Sequence, residues 1–175
     1  MPLGLIMPHI TASQAGSLNR CATLDMLAIS ELTQRVIDQS DDGYNVIVGS
    51  TASNLILFPT LPDGLPDYSH HPGIFEEAED STAAGRYQTL KRNGVYYQAF
   101  LHLPDFGPVS QDLIALQQIR ECGDALALID QGNLKQALPL FAHLWASIPG
   151  SNWGQHEQTI TNLLAWYSAA GGLFA

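Results

Sequence analysis

The feature that most restricts the fold is a turn-rich middle of the chain, set between segments with helical apolar patterns. From Tyr68 to Gly94, polar and turn residues dominate, and no helical period begins before Gln88. The preceding stretch Thr60–Asp67 includes prolines and a glycine, which predict irregular backbone. After Pro104 the pattern becomes helical. The sequence therefore predicts helices combined with a small, turn-rich region.

Four segments are predicted to be helical. The first, Ser17–Leu32, begins at a serine suited to capping a helix N-terminus and keeps apolar residues on one face. The other three lie in the second half of the chain, where the turn residues of 149–152 separate the last two. They are Val109–Cys122, Leu134–Ile148 and His156–Ala170.

Two short segments after the first helix have strand character. Tyr44–Val48 follows a turn at Asp41–Gly43 and is bounded by Gly49 and Ser50, and Leu55–Phe58 is predicted to return beside it. Together these elements predict an α+β protein with a helix, a small β-region and a C-terminal helical lobe.

The composition indicates one globular domain and excludes several classes of partner. The chain has 175 residues, of which 46% are hydrophobic, so it can bury a core of its own. Its net charge of −10 is opposite to the basic surface of a nucleic-acid-binding protein. No apolar run reaches the roughly 20 residues of a membrane helix, so no membrane insertion is predicted. Residues 1–20 lack the basic start of a secretory signal and are predicted to be an N-terminal arm.

Several common kinds of catalytic and metal site are excluded. The sequence contains no P-loop, no dinucleotide-binding glycine motif and no nucleophile elbow. The adjacent His70 and His71 are interpreted as part of a polar surface loop, because neighbouring side chains usually point apart and no second cluster supplies further ligands. Cys21 and Cys122 are interpreted as two buried thiols, with one disulfide between them as the alternative. We predict neither a metal nor a cofactor.

Glu31 differs from the other acidic residues in its position. It lies at the end of the apolar first helix, between Ile29 and Leu32, where the chain passes into a polar stretch. Partial loss of water around a carboxyl group raises its pKa and keeps it protonated near neutral pH. A protonated carboxyl group is what a general acid needs at a glycosidic oxygen. A glutamate near a helix end is usually just solvated, so the position by itself is a weak indication.

A series of short motifs in a fixed order resembles the phage lambda endolysin family. The segment Leu24–Thr33 (LDMLAISELT) resembles the family's catalytic helix, and Gly43–Gly49 (GYNVIVG) resembles its first strand. Similar motifs follow at Asp67–Pro72 (DYSHHP), Ser81–Gln88 (STAAGRYQ), Ser110–Ile119 (SQDLIALQQI), Trp145–Gly150 (WASIPG) and Trp153–Gln155 (WGQ). The resemblance extends from about Leu24 to Gly172 and leaves the N-terminal arm outside it.

The resemblance implies a lysozyme-like catalytic domain over residues 21–175, with a cleft between the small β-region and the helical lobe. It also implies a lytic transglycosylase. Such enzymes cleave the β-1,4 bond between N-acetylmuramic acid and N-acetylglucosamine in peptidoglycan without water and leave a 1,6-anhydromuramic end. The residue that matches the family's catalytic acid and base is Glu31. We expect a monomer that accumulates in the host cytoplasm and acts at the periplasmic cell wall after a separate protein permeabilises the membrane.

The resemblance places further residues at the substrate. Gly85 is interpreted as a point where a sugar approaches the backbone, Tyr87 as a ring face for it, and Gln88 as a partner for an acetamido group. Trp153 matches an aromatic position of the family and is expected to stack on a sugar; on its own it would be interpreted as a partly buried hydrophobe. The other substrate-binding candidates are Tyr44, His71 and Arg86.

Two positions depart from the family, and two alternatives to the transglycosylase remain. Leu32 stands where the family has glycine, and Asn45 stands where its lambda member has aspartate. A hydrolytic muramidase would use water activated by Asp41 or Asp42. The second alternative is a non-catalytic module that binds peptidoglycan in an inherited cleft, because a fold does not determine a function.

Overall fold

The computed structural model of the protein describes residues 8–154 and 156–175. Two compact units form the chain: residues up to 31 together with those from 115 onward, and residues 32–114. None of the helices among the described residues is long and apolar enough to cross a membrane. The described α-helices are α1 (Ala12–Ala15), α2 (Leu18–Asp38), α3 (Lys91–Phe100), α4 (Pro108–Arg120), α5 (Ala125–Asp130), α6 (Leu134–Phe141) and α7 (Ile160–Ala169), with a 3-10 helix at Ala142–Leu144.

The start of α2 is fixed by local capping and by contacts within the first unit. The backbone N–H of Arg20 donates to Ser17 Oγ over 3.2 Å, which confirms the predicted N-cap. From Ala22 to Ala28, one turn further along, the apolar side chains of α2 are completely buried. The Asn19 side chain donates to the carbonyl of Ile129 over 3.0 Å and accepts from the N–H of Leu173 over 2.9 Å. These bonds join α2 to two distant parts of the same unit.

The N-terminal arm predicted over residues 1–20 lies partly outside the described residues, because residues 1–7 are not among them. Within the described part, Thr11 forms a capping box with Gln14 at the start of α1. Ile10 is buried, and its carbonyl accepts a hydrogen bond from the Cys21 thiol. Residues 8–20 thus contain a short helix and the first turn of α2, while the proposed domain boundary at residue 20 stays a prediction.

The helix predicted over Leu134–Ile148 is too long. Helix α6 ends at Phe141 and passes into the 3-10 helix, and it contains Pro139, which lacks the N–H that would bond the carbonyl four residues back. The last helix begins later than predicted: the side chain of Thr159 caps α7 by accepting from the N–H of Asn162. The short helix α5 was not predicted at all.

Helix α2 also continues beyond its predicted end, after a kink. Thr33 has φ 65° and ψ 149°, a conformation that is strained for any residue with a side chain and particularly for a β-branched one. Helical backbone then resumes as far as Asp38, where a polar stretch was expected. The buried side chains of Val36 and Ile37 account for this second segment, because they give it an apolar face.

The predicted β-region is smaller than expected. The N–H of Ile47 donates to the carbonyl of Ile56, and the N–H of Phe58 donates to that of Asn45, each over 2.8 Å, so the two predicted segments do lie side by side. Within the described residues, however, pairing is limited to isolated bridges such as Val46 with Leu57. One cause is the Ser50 hydroxyl, which accepts the N–H of Ile56 over 2.9 Å in place of a backbone carbonyl.

The second unit has its own apolar core around an aromatic cluster. The rings of Phe58 and Phe106 stack with centroids 6.3 Å apart, and Tyr68 meets Phe58 edge-on at 5.7 Å. Ile47 and Ile114 complete the buried cluster. This core holds the turn-rich segments in place, since they contain little regular secondary structure.

Candidate active site

Glu31 is the last residue of the first unit before the chain passes into the second, and it is half-buried. Burial raises the pKa of its carboxyl group above the ordinary value. Hydrogen bonds from the side chain and backbone of Ser147 oppose this effect but do not cancel it. The pKa shift therefore has the direction that a general acid requires near neutral pH.

Ser147 is the principal partner of Glu31. Its hydroxyl donates to Glu31 Oε1 in a short hydrogen bond, and its backbone N–H points to the same oxygen at 3.4 Å. Ser147 Oγ also lies 3.0 Å from Ser30 Oγ, and the Ser30 hydroxyl lies 2.8 Å from the carbonyl of Leu27. The carboxyl group is thus held by Ser147, whose hydroxyl oxygen lies against the side chain of Ser30 in α2.

The raised pKa of Glu31 predicts how its replacement affects stability. A carboxyl group that binds its proton more tightly in the folded state destabilises that state once the pH exceeds its unfolded pKa. Glu31→Gln removes this cost, so we expect its melting temperature at neutral pH to be higher than that of the wild type. The difference should shrink as the pH falls below the ordinary pKa of a glutamate. Thermal unfolding over a pH series measures it.

Glu157→Gln is the matched control, with the opposite sign. The N–H of Gly150, followed by the hydroxyl and N–H of Ser151, lowers the pKa of Glu157. Its stabilisation is therefore present at neutral pH and lost in acid, and Glu157→Gln should melt below the wild type at neutral pH. If both variants shifted in the same direction, the assigned environment of Glu31 would be wrong.

In the second unit, Tyr44 and Tyr87 converge on one buried carboxylate. Both hydroxyls donate to Asp112 Oδ1, over 2.8 Å and 2.6 Å. Burial, and then the charge of Asp112, raises the pKa of Tyr87 well above its ordinary value, so the phenol stays a donor. Tyr87 is 1% exposed and Tyr44 0%. The interpretation of Tyr87 as a ring face for sugar is corrected, because both rings lie inside the unit.

Arg86 is also buried. Its guanidinium lies 5.0 Å from the centroid of the Tyr44 ring and donates to the carbonyl of Asp42 in a short hydrogen bond. Asp42 itself has a positive φ of 46°. Arg86 therefore supports the turn that follows α2, and its complete burial contradicts a direct contact with substrate.

Gly85 serves a packing role rather than the predicted one. A Cβ atom on this residue would lie 2.1 Å from Gln111 Oε1. The Gln111 side chain accepts from the N–H of Arg86 over 2.9 Å and donates to the carbonyls of Tyr44 and Phe106 over 2.9 Å and 2.8 Å. The space beside Gly85, on the side where a Cβ would point, is thus filled by a glutamine that cross-links three segments.

His71 is likewise committed to the interior of the second unit. Its Nδ1 accepts from the N–H of Gly73 over 3.0 Å, so Nε2 carries the proton and donates to the carbonyl of Thr89 over 2.7 Å. The ring packs against Phe106 with centroids 4.8 Å apart, and burial lowers its pKa. Both ring nitrogens are used internally, so substrate binding by His71 is corrected to a structural role.

Two other candidates keep polar or aromatic surface in water. Gln88 is half-buried and donates from Nε2 to the carbonyl of Gly85 over 2.9 Å. Trp153 in the first unit is 53% exposed, and its indole N–H donates to the carbonyl of His143 over 2.9 Å. That bond fixes one edge of the indole and leaves much of the ring accessible.

The two departures from the family have local structural explanations. Leu32 is buried, and its Cδ1 atom would lie 2.7 Å from a Cβ on Gly43, so it packs tightly over the turn that follows α2. Asn45 Oδ1 accepts the N–H of Asp41 over 3.0 Å, a bond that aspartate could also accept. The Asp41 carboxylate in turn accepts from the Tyr68 hydroxyl over 2.6 Å.

Neither the cysteines nor the histidine pair forms a recognisable ligand group. Cys21 and Cys122 are thiols that are not joined in a disulfide, the first buried and the second half-buried. Across residues 8–154 and 156–175, no three His, Cys, Asp or Glu side chains gather as they would around a metal ion.

Comparison with known proteins identifies the family. A model of the Endolysin family matches residues 21–174. The chain belongs to the endolysin family. It is 43% identical to the endolysin of Escherichia phage lambda over 157 residues, which cover 87% of this chain and 91% of that protein. It is 39% identical to the endolysin of Escherichia phage P2 over 175 residues, covering 95% and 99% of the two chains.

Solved structures give the same result for the fold of this endolysin. Bacteriophage lambda lysozyme in complex with a chitohexasaccharide matches with a TM-score of 0.77 and 41% identity, covering 91% of this chain and 97% of that one. A second structure of lambda lysozyme matches with a TM-score of 0.73 and 40% identity over the same shares. The predicted lysozyme-like fold is confirmed, although the endolysin is more helical than an α+β description suggests.

Three residues that form hydrogen bonds with the predicted site residues had no predicted role. Ser147, Gln111 and Asp112 all lie inside motifs that resemble the family, but nothing in those motifs indicates which side chains they meet. Ser147 contacts a residue 116 positions away, and Gln111 and Asp112 reach back 25 to 68 positions. Their polarity inside apolar helix patterns was the only signal in the sequence.

Proposed function

We propose that this endolysin degrades peptidoglycan by cleaving the β-1,4 bond between N-acetylmuramic acid and N-acetylglucosamine, without water, to leave a 1,6-anhydromuramic end. The observation that carries the proposal is Glu31, a half-buried carboxyl group whose pKa is raised by burial and which Ser147 holds in place. The similarity of the chain to a lysozyme solved with a chitohexasaccharide supports a glycan of β-1,4-linked amino sugars as the ligand.

In the first step Glu31 acts as the general acid. The protonated carboxyl group gives its proton to the glycosidic oxygen, and the bond between that oxygen and C1 of the muramic residue breaks with its electron pair going to the oxygen. Positive charge develops at C1 and the ring oxygen. The carboxylate left on Glu31 is then stabilised by the hydroxyl and the N–H of Ser147, which both donate hydrogen bonds to its charged oxygen.

In the second step the same residue acts as the general base. The C6 hydroxyl of the muramic residue bonds to C1 and gives its proton to the Glu31 carboxylate. Glu31 is protonated again, so the cycle closes with neither water nor a covalent adduct. A second carboxylate, which ordinary glycosidases need to hold water or to attack C1, has no task in this reaction.

The surroundings of Glu31 suit a residue that must serve in both roles. Burial favours the protonated acid, while Ser147 favours the carboxylate. The net effect raises the carboxyl pKa in the direction of neutral pH, and proton transfer by one residue in both directions is most efficient when its pKa lies near the working pH. A fully solvated glutamate would be almost entirely ionised at neutral pH and a poor acid.

For the sugar contacts we propose Trp153 and Gln88. The exposed indole of Trp153 offers a stacking surface for a pyranose ring, with its N–H already bonded to protein. The half-buried amide of Gln88 donates one N–H to the carbonyl of Gly85, and its oxygen is the atom that can accept an acetamido N–H. Tyr44, Gly85, Arg86, Tyr87 and His71 support the second unit from within, as their burial indicates.

The test is to identify the products released from purified peptidoglycan. We expect soluble muropeptides that end in 1,6-anhydromuramic acid, lighter by one water than the hydrolytic products when read by mass spectrometry. Muropeptides with a reducing muramic end would contradict the proposal and favour a muramidase. Binding of chitooligosaccharides without any release of muropeptides would instead favour a non-catalytic module.

A further inference from the structure

The two donors of one serine meet a single oxygen of the candidate catalytic group. Both the hydroxyl and the N–H of Ser147 point to Oε1 of Glu31. We propose that Ser147 is a positioning residue that holds Oε1 as a permanent acceptor and thereby leaves Oε2 to carry the transferred proton. This inference rests on the proposed function, in which Glu31 first gives and then takes a proton.

The assignment of the two oxygens follows from the direction of the bonds. A backbone N–H can only donate, so at Ser147 a proton on Oε1 could be accepted only by Oγ, whose own proton would then have to turn away towards Ser30 Oγ. With the proton on Oε2, Oε1 is a carbonyl oxygen that accepts from Ser147. After the proton has left, Oε1 is a carboxylate oxygen that accepts from the same two donors. Neither transfer therefore requires Ser147 to move.

Ser147 is itself fixed by its surroundings in the first unit. Its side chain is buried, with 8% of the residue exposed, and Oγ lies 3.0 Å from Ser30 Oγ. Its carbonyl accepts the N–H of Gln158 over 2.8 Å, and the N–H of Ile148 closes a turn on the carbonyl of Trp145 over 3.1 Å. A hydroxyl held on both sides has little rotamer freedom left to lose when it orients the carboxyl group.

The strength of the hydroxyl bond differs between the two states of Glu31. Hydrogen bonds to a charged acceptor are stronger than those to a neutral one, so the Ser147 hydroxyl favours the carboxylate. Without it, Glu31 should hold its proton up to a higher pH. It should also adopt several orientations, of which a fraction would aim the proton at the substrate.

The experiment compares Ser147→Ala with Ser147→Thr in the full-length protein, using soluble peptidoglycan fragments as substrate. For Ser147→Ala we expect the alkaline limb of the kcat/KM profile to move up by about one pH unit, as the loss of a charge-assisted hydrogen bond implies. We expect kcat at neutral pH to fall roughly 10-fold or more, with KM little changed. Ser147→Thr, which keeps the hydroxyl, should restore the position of the limb.

Ser151→Ala is the matched control. Its hydroxyl bonds the carbonyl of Ala146 and the Glu157 carboxylate, so its removal should leave the alkaline limb where it is. Melting temperatures of all variants separate loss of folding from loss of positioning. If Ser147→Ala does not fold, Ser147→Cys, with its weak thiol donor, is expected to move the limb in the same direction.

Two results keep this inference separate from the proposed function. An unchanged alkaline limb in a folded Ser147→Ala variant, with Glu31→Gln inactive, would overturn the positioning role alone. A wild-type protein that releases no muropeptides, or only hydrolytic ones, would overturn the proposed function before any variant is measured.

Discussion

Replacing Glu31 by glutamine is expected to abolish clearing of cell walls while the protein stays folded. Glutamine has almost the same shape as glutamate but can neither give up a proton to the glycosidic oxygen nor accept one from the C6 hydroxyl. General acid and base assistance typically contributes 10²–10⁴-fold, and here both depend on one residue, so we expect the rate to fall by a factor on the order of 1,000 or more. Muropeptide release from purified walls measures it.

A matched acidic residue shows whether the loss is specific. Glu121, at the end of α4, accepts a hydrogen bond from Gln117 at the protein surface. Glu121→Gln removes the same charge and should keep close to wild-type activity. Because Glu31→Gln is also expected to be the more stable protein at neutral pH, loss of activity cannot be attributed to unfolding. Full activity of Glu31→Gln would contradict the assignment of the catalytic residue.

The second large effect is expected at Gly85, and it concerns stability. In Gly85→Ala the new methyl group would collide with Gln111 Oε1, 2.1 Å away, and the residue would be held at φ +80°. The left-handed conformation costs a residue with a side chain about 1–2 kcal/mol, and overpacking typically adds about 1–3 kcal/mol. Displacing Gln111 also weakens its three backbone hydrogen bonds. We expect the melting temperature to fall by roughly 10 °C.

Gly64→Ala separates the two causes. Gly64 lies in the same unit at φ +85°, but nothing lies within 4 Å of its Cβ position. Its replacement should cost only the conformational part, about 1–2 kcal/mol. The difference between the two variants measures the collision with Gln111. If Gly85→Ala were as stable as Gly64→Ala and had lost only affinity for glycan, the original interpretation of Gly85 as a sugar contact would be the better one.

Features that depend on residues near one another in the chain were predictable from the sequence. Ser17 was recognised as the cap of α2 because capping involves a residue only three positions on. The environment of Glu31 could be expected, since the apolar face of the same helix precedes it. The hairpin-like pairing of 45–48 with 56–58 followed from alternation and turn residues.

The errors concern elements whose structure depends on distant partners. The resemblance to the family places the motif Gly85–Gln88 at the substrate. Arg86 and Tyr87 are nevertheless buried, because Asp112 and the turn at Asp42 satisfy their polar atoms. Nothing within a few residues of Tyr87 indicates those partners.

Helix ends show the same limit. The sequence predicts a helix only as far as Leu32, with a polar stretch after it, yet Val36 and Ile37 supply a buried face. A bond from the Gln34 amide to the Asp38 carboxylate over 2.7 Å adds local support. Polar and apolar residues thus lie within the same turn, and burial of the apolar ones determines that the segment is helical.

The most direct test of the account is digestion of purified peptidoglycan by the wild-type protein in water enriched in ¹⁸O. The central claim is that the muramic C6 hydroxyl, and not water, attacks C1 while Glu31 moves the proton. We expect the released muropeptides to carry 1,6-anhydro ends with no ¹⁸O. Muropeptides with ¹⁸O at C1 of a reducing muramic end would contradict the account and show that water is the nucleophile.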